Sequence, residues 1–523
     1  MSIRIFEIKS TDLAGRLGRL EINGKSIETP VLLPVVHPIR QTIPPRELKA
    51  IGFDAVMTNA YITLREERSR ASKIGIHRFI DYEGVVMTDS GGYQVLRYGD
   101  IETNPVQMIR FQESIRSDIA VALDVPTGYR TSRGQALTTV NQTIQAAKVT
   151  ISAKRRDDVL YTGAVQGGPF DDLVTFCAEE LARLDFDLYA IGSPTEMMES
   201  YRFDALFRLI CAAKRRLPVE KPLHLFGVGH PLTLSLAVAL GCDMFDSASY
   251  MLYAKDGRYI TDSGTLRVGD LEYIACTCPT CIRTNPEELK SLDRGPLVDS
   301  LARHNLFVLH SEMQRIRQSI SEGRLWEHLG IRARAHPSLW KAFRMMGSAF
   351  SLIEDGTPVL KSKGLFLSTP PDTDRPEVSR HRTRVLEIMK PRAVKCLILI
   401  PIEPSTNLSL QSSVSSRIFK EVQEFVNNIQ ICFLVPPFEI IPLEILDIYP
   451  LSQNVNITEN KYGLGFVSLF KKFLRTNRYK NIILCRSGNS PQELEKLIKS
   501  ASPHCEVCAI PSLRRTVAHV LGH

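Results

Sequence analysis

The 523-residue chain carries 65 Lys and Arg against 57 Asp and Glu, a formal net charge of +8, with 44% apolar and 23% charged residues. That balance excludes collagen-like repeats, low-complexity disorder and small disulfide scaffolds, and at roughly 100–200 residues per domain it predicts two to four domains. No apolar run approaches the ~18 residues that cross a bilayer, and the first residues, MSIRIFEIKS, lack a secretory leader's apolar core, so a cytoplasmic protein is expected.

Through the first 250 residues short apolar, β-branched segments recur, each ending in small or polar residues. They are 30–36 (PVLLPVV), 54–61 (DAVMTNAY), 85–91 (VVMTDSG), 119–126 (IAVALDVP), 161–167 (YTGAVQG), 188–193 (LYAIGS), 224–229 (HLFGVG) and 244–249 (MFDSAS). Stretches with helical patterning separate them, among them 105–117 and 171–184. Near-continuous apolar strands alternating with helices predict a parallel sheet covered on both faces. Eight of them favour a closed (β/α)8 TIM barrel over an open doubly wound sheet. In such a barrel the chemistry sits where the strands end, which singles out Asp89, Asp124, Gln166, Gly192 and Asp246. A lone Asp there is often only a helix cap; several polar groups meeting at one mouth read as a site.

After the last of these strands the chain concentrates three of its 11 cysteines in Cys276-Thr-Cys278-Pro-Thr-Cys281, and His304 follows. A tight loop giving three thiolates, with an imidazole from the start of a helix, makes a closed Cys3His set suited to structural Zn2+, one per chain. His310 is the competing fourth ligand. A weaker group, His504, Cys505 and Cys508, reads as ordinary thiols.

Beyond residue 300 a helix is expected over 304–322, then the basic IRARAHPSLWKAFRMM, then a Pro-, Asp- and Arg-rich connection at 369–384. From about residue 393 a second α/β pattern begins, with strands at 395–402, 430–435 and 480–485 and helices at 417–427, 466–477 and 491–500. The expected organisation is a catalytic barrel with its metal-binding insertion over 1–345, a linker or small basic domain over 346–392, and a C-terminal α/β domain over 393–523. Charge divides unevenly: residues 1–300 hold 35 basic and 38 acidic side chains, the remainder 30 and 19. Such asymmetry accompanies nucleic-acid or membrane contact, or a basic surface that only aids solubility.

The ordered segments TDSGGYQ (88–94), VQGG (165–168), GVG (227–229) and DMFDS (243–247), followed by the Cys3His set, resemble the tRNA-guanine transglycosylase family, strongly to about residue 345. The later α/β region is similar to that of the archaeal, archaeosine-type branch. The resemblance implies a zinc-containing barrel that exchanges guanine at position 15, in the D arm of tRNA, for 7-cyano-7-deazaguanine (preQ0). It implies Asp246 as nucleophile, with Asp243 as the rival, and Asp89 as general acid/base. It implies a base held by Ser90, Tyr93, Asp124, Gln166, the amide of Gly192, and Phe226. Arg332, Arg334, Lys341, Arg380, Arg382 and Arg384 are then expected to meet phosphates. The family also implies a homodimer. Its archaeal members usually end in a PUA domain, whose pattern is not recognised here, so either a separate PUA-domain protein supplies it or tRNA is engaged without it. Two alternatives stand beside this reading: a queuine- or preQ1-type enzyme acting at anticodon position 34, and a non-catalytic tRNA-binding subunit.

Overall fold

The computed structural model describes residues 6–92, 104–388, 394–402, 416, 418–456, 464–477, 479–486 and 492–522. They form two compact units, Met1–Thr357 and Pro358–His523. The segment 346–392, read as a linker or small domain, is divided between them.

The first unit opens with an antiparallel sheet of β1 (Phe6–Asp12), β2 (Gly15–Ile22) and β3 (Lys25–Thr29). The sequence reading began its strands only at residue 30. The barrel follows: β4 (Val31–Val36), β5 (Ala55–Asn59), β6 (Val85–Asp89), β7 (Ile119–Val121), β8 (Leu160–Val165), β9 (Leu188–Ile191), β10 (Leu223–Leu225) and β11 (Met244–Ser247). Neighbours in the barrel are neighbours in the chain, and β11 closes it in parallel on β4. Because strand side chains alternate, Leu33, Met57, Met87 and Met244 fill the interior, whereas Leu32, Val56, Val86 and Phe245 face the helices. This is the eight-stranded barrel that the apolar segments predict.

The β2–β3 hairpin explains why only one end of the barrel is open. Leu20, Ile22 and Ile27 join the interior cluster from below. Lys25 Nζ donates to Asp118 Oδ2 at 3.0 Å and to the carbonyl of Gly84 at 3.1 Å, and the His77 ring shares that carboxylate at 2.7 Å. These groups precede their strands, so the hairpin plugs the N-terminal end and leaves the C-terminal end as the mouth.

After β11 comes a hairpin, β12 (Arg258–Ile260) and β13 (Thr265–Arg267), then the cysteine loop, then a 28-residue helix, Arg294–Ser321. Asn305 sews the hairpin to that helix: its Oδ1 accepts from Ile260 N at 2.9 Å while Nδ2 donates to the carbonyls of Tyr250 and Arg258.

The second unit holds a short parallel pair, β14 (Leu365–Leu367) with β18 (Asn454–Asn456). Its main sheet has β15 (Cys396–Pro401), β16 (Ile429–Val435), β17 (Glu439–Pro442), β19 (Asn481–Arg486) and β20 (Glu506–Ala509), in the order β17-β16-β15-β19-β20. Only β17 runs antiparallel. Cys396, Ile398 and Ile400 pack on one face and Leu397 and Leu399 on the other, so both faces are covered. No helix among the described residues is long and apolar enough to cross a membrane.

Candidate active site and metal centre

The barrel's alternation carries its polar groups to one place. Met57 and Met87 point inward, and two residues further on so do Asn59 and Asp89, which are paired across β5 and β6. Asn59 Nδ2 donates to Asp89 Oδ2 at 2.9 Å. Burial, then the charge of Asp124, and less strongly that of Asp246, push the Asp89 carboxyl up to about 7 against the opposing hydrogen bonds from Gly91 and Asn59. Asp89 is therefore still partly protonated near neutral pH, where an ordinary carboxyl has lost its proton.

This has a consequence for stability. The folded Asp89 releases its proton near 7 and the unfolded one near 4, so the folded form binds more protons in that window and loses stability as pH rises through it. Asp89→Asn is expected to change little at pH 4 and to stabilise by on the order of 4 kcal/mol at pH 8. Melting temperatures at the two pH values check this; an equal shift at both contradicts it.

Beside Asp89, the buried Asp124 accepts from Gln166 Nε2 at 2.6 Å. Burial raises its carboxyl to about 6 despite that bond. Gln166 is itself fixed, its Oε1 accepting from Thr127 N at 3.0 Å and from the Ser193 hydroxyl at 2.8 Å. The second hydrogen of its Nε2 has no acceptor among the described residues. Two glycines make this possible. A Cβ on Gly92 would lie 2.3 Å from Asp124 Oδ1, and one on Gly192 would lie 2.1 Å from Gln166 Nε2. The Gly192 amide, expected to meet the base, donates instead to Val165 O at 2.9 Å. In this structure the residue makes room for Gln166.

Across the mouth, Asp246 ends β11. Its Oδ1 accepts from Gly227 N at 3.0 Å and lies 2.8 Å from His224 Nε2. Gly227 has φ +68°, a left-handed turn that suits glycine and aims its N–H at the carboxylate. Asp243, the rival, lies at the opposite end of the strand, where Arg16 pairs with both its oxygens and Leu223 N donates to Oδ2 at 2.8 Å. Phe226 is half-buried, its ring 5.0 Å from that of His224. Ser90 is fully buried and donates to Ala122 O at 3.3 Å. Tyr93 lies outside the described residues. Asn59, Thr127, Ser193 and His224 were not foreseen; Asn59 ends β5, Ser193 follows β9, Thr127 lies in the loop after β7 and His224 within β10, and the partner of each is visible only once the strands are in register.

The metal centre is compact. The ligand atoms of Cys276, Cys278, Cys281 and His304 all lie within 4.8 Å of one another. His304 Nδ1 is 3.2 Å from Cys281 Sγ and 3.7 Å from Cys278 Sγ, while its Nε2 lies 2.8 Å from Ile260 O. That pairing leaves Nδ1 to coordinate, the usual division of labour in a metal-bound imidazole. Tyr259 stacks on the ring at 3.5 Å and its hydroxyl is 3.3 Å from Cys281 Sγ. The three sulfurs and one nitrogen fit a tetrahedral metal ion. The helix begins at Arg294, so His304 lies within it and not at its start, because Asp293 and Arg294 already open the helical turn. His310 is elsewhere, its ring edge-on to Phe53 at 5.4 Å. Among the described residues this is the one such group; His504, Cys505 and Cys508 form none.

The expected phosphate contacts divide. Arg332 is buried, bound to Glu312 at 2.8 and 2.6 Å and to Asp262 at 3.2 Å, so it serves the core and not a phosphate. Arg380 is buried too. Lys341 is exposed and pairs with Asp204 at 2.9 Å, Arg334 lies over the Trp340 ring, and Arg384 is exposed.

A family model described as queuine tRNA-ribosyltransferase matches residues 11–338. The tRNA-guanine(15) transglycosylase of Thermococcus onnurineus is 41% identical over 381 residues, 72% of this chain and 65% of the relative. Its namesake in Methanococcus maripaludis is 39% identical over 487 residues, 90% of this chain and 72% of the relative. That of Methanocaldococcus jannaschii is 41% identical over 461 residues, 86% and 68%. The chain thus spans between 65% and 72% of the length of these relatives. With an acidic barrel mouth, a Cys3His centre and a family match over most of its length, this chain belongs to the queuine tRNA-ribosyltransferase family.

Proposed function

We propose that this chain is a tRNA-guanine(15) transglycosylase, which exchanges guanine in the D arm of tRNA for preQ0 through a covalent ribosyl-Asp246 intermediate. The observation that carries the reading is two carboxyls facing one mouth: Asp89, which burial leaves partly protonated near neutral pH, and Asp246, whose Oδ1 accepts from Gly227 N and lies against His224. Such a pair divides nucleophile from acid. The target nucleotide leaves its stack to reach the barrel. An Asp246 oxygen then attacks ribose C1′, the C1′–N9 bond breaks, and its electron pair leaves with guanine, which takes the Asp89 proton. Incoming preQ0 returns a proton from N9 to Asp89, and N9 attacks C1′ and expels the Asp246 carboxylate. Two inversions give net retention.

Asp124 is suited to accept from N1–H and the 2-amino group of the base, and the second Gln166 hydrogen to reach its carbonyl. Phe226 and Tyr93 flank the ring in this reading. Zn2+ is the metal that the Cys3His set suits best; it supplies a cross-link between loop and helix, with no ligand at the mouth. Exposed Arg334, Arg384 and their neighbours serve phosphates, and a tRNA substrate places the protein in the cytoplasm. A homodimer through the metal loop belongs to the same reading, supported by Tyr273 and Ile282, 87% and 66% exposed.

Position 15 is supported by the names of the relatives, whose similarity extends past the family model over as much as 90% of the chain. The test is incubation with labelled guanine or preQ0 and an unmodified tRNA transcript, followed by mapping of the label. Label at position 15 is expected; label at position 34 rejects the D-arm assignment, and no label rejects the enzyme.

A further inference from the structure

One polar residue inside the barrel has no chemical role in the scheme above. His224 is completely buried, yet its ring is neither a metal ligand nor in reach of Asp89 by any hydrogen bond among the described residues. In the register of β10 and β11 it pairs with Met244, an interior residue, so it points into the barrel one layer below Asp246. Its Nε2 lies 2.8 Å from Asp246 Oδ1. Its Nδ1 is buried and has no hydrogen-bond partner among the described residues. A proton on Nδ1 would be desolvated with no acceptor, a costly arrangement, whereas a proton on Nε2 is aimed at a carboxylate. The geometry points to His224 as a positioning residue that, as the Nε2–H tautomer, fixes the carboxylate of Asp246 for attack on the ribose. This rests on Asp246 being the nucleophile.

The two oxygens of Asp246 are not equivalent. Oδ1 is held by two donors, His224 Nε2 and Gly227 N, one carried by a strand and the other by a left-handed turn. Oδ2 has no partner among the described residues. Two fixed donors on one oxygen stop the carboxylate rotating about its Cβ–Cγ bond and present the other oxygen in one direction, which is the orientational part of catalysis. In the first half-reaction the Oδ2–C1′ bond forms as C1′–N9 breaks. Oδ1 then becomes the carbonyl oxygen of the ester and continues to accept both hydrogen bonds. In the second half-reaction the Oδ2–C1′ pair returns to the carboxylate, and the same two donors stabilise the charge that reappears. Phe226, whose ring is 5.0 Å from the imidazole, packs beside the pair at the mouth, so the base-binding wall also holds the histidine.

Two substitutions separate donation from packing. In His224→Gln the amide nitrogen can occupy the place of Nε2; in His224→Asn it falls near Nδ1, short of Asp246. Full-length variants are assayed for exchange of radiolabelled guanine into an unmodified tRNA transcript, with tRNA affinity measured separately and Asp246→Asn run alongside. His224→Asn is expected to lower kcat about 10- to 100-fold, the loss of one charge-assisted hydrogen bond, with both KM values within about twofold. His224→Gln is expected to recover most of that loss. Equal kcat for His224→Asn and wild type overturns the inference while Asp246→Asn remains inactive, so the nucleophile reading survives. Exchange by Asp246→Asn overturns both. Parallel loss of tRNA binding and exchange in the two His224 variants also overturns the inference, because it assigns the histidine to the fold.

Discussion

Replacing Asp246 by Asn is expected to lower base exchange about 1,000-fold or more while leaving tRNA affinity within about twofold. The substitution is nearly isosteric, and Oδ1 can still accept from Gly227 N and face His224, so the mouth keeps its shape. What disappears is the anionic oxygen that forms the ester with C1′, and an amide is a poor substitute at any accessible pH. The measurement has two parts. Steady-state incorporation of labelled guanine reports the rate, and denaturing electrophoresis of enzyme with tRNA reports the covalent adduct, present for wild type and absent for the variant. Asp243→Asn is the informative control. Asp243 is bound by Arg16 at the closed end of the barrel, so its loss breaks a buried ion pair and costs about 3–5 kcal/mol of stability. Protein that remains folded keeps its adduct. An adduct formed by Asp246→Asn, or one lost only in folded Asp243→Asn, would reverse the two roles.

The fold and the site were legible in the sequence to different degrees, for physical reasons. Barrel strands are covered on both faces, so they read as apolar runs, and each of the eight segments from 30–36 to 244–249 overlaps a barrel strand, β8 and β10 starting one residue earlier than expected. The Cys3His group was equally legible, because one short loop supplies three ligands and little besides a metal explains the spacing. The sheet β1–β3 was missed although Asn23-Gly24, both at positive φ, is a strong hairpin signal. Its strands are mixed in character, with charged residues among the apolar ones, and cover the barrel end instead of lying within it. Contacts across strands were beyond reach. Asn59 faces Asp89, and His224 lies under Asp246, only in the barrel's register. Gly192 illustrates the same limit: the residue was singled out, but its amide is committed to Val165 and its contribution is the space it leaves. Arg332 shows how charge counting misleads. It adds to the basic surplus after residue 300, yet its guanidinium is buried against Glu312, so the surface offered to phosphates is smaller than the composition implies.

Removing the metal is expected to weaken the barrel unit without altering the chemistry at its mouth. Three sulfurs and His304 converge within 4.8 Å, a density of ligands that a metal cation stabilises and that, without one, leaves thiolates repelling each other or thiols stripped of water. The centre is also a junction. His304 belongs to the long helix, its Nε2 meets the carbonyl of Ile260 in the hairpin, and Tyr259 of the same hairpin covers the imidazole and touches Cys281. Helix, hairpin and loop therefore come apart together. Because the ligand set forms only in the folded chain, metal binding energy adds to folding energy. Cys281→Ser is expected to reduce bound metal from about one equivalent to near zero and to destabilise by about 5 kcal/mol, lowering the melting temperature by on the order of 10 °C. Elemental analysis gives the metal and calorimetry the stability. His310→Ala is the matched control: its ring packs on Phe53, away from the sulfurs, and its metal content should equal wild type. Exchange measured well below the melting point should persist in Cys281→Ser, since none of the four ligands contacts Asp89, Asp124 or Asp246 by any hydrogen bond among the described residues. Undiminished metal in Cys281→Ser would dismantle the Cys3His assignment, and immediate loss of exchange in folded, metal-free protein would make the centre part of the chemistry.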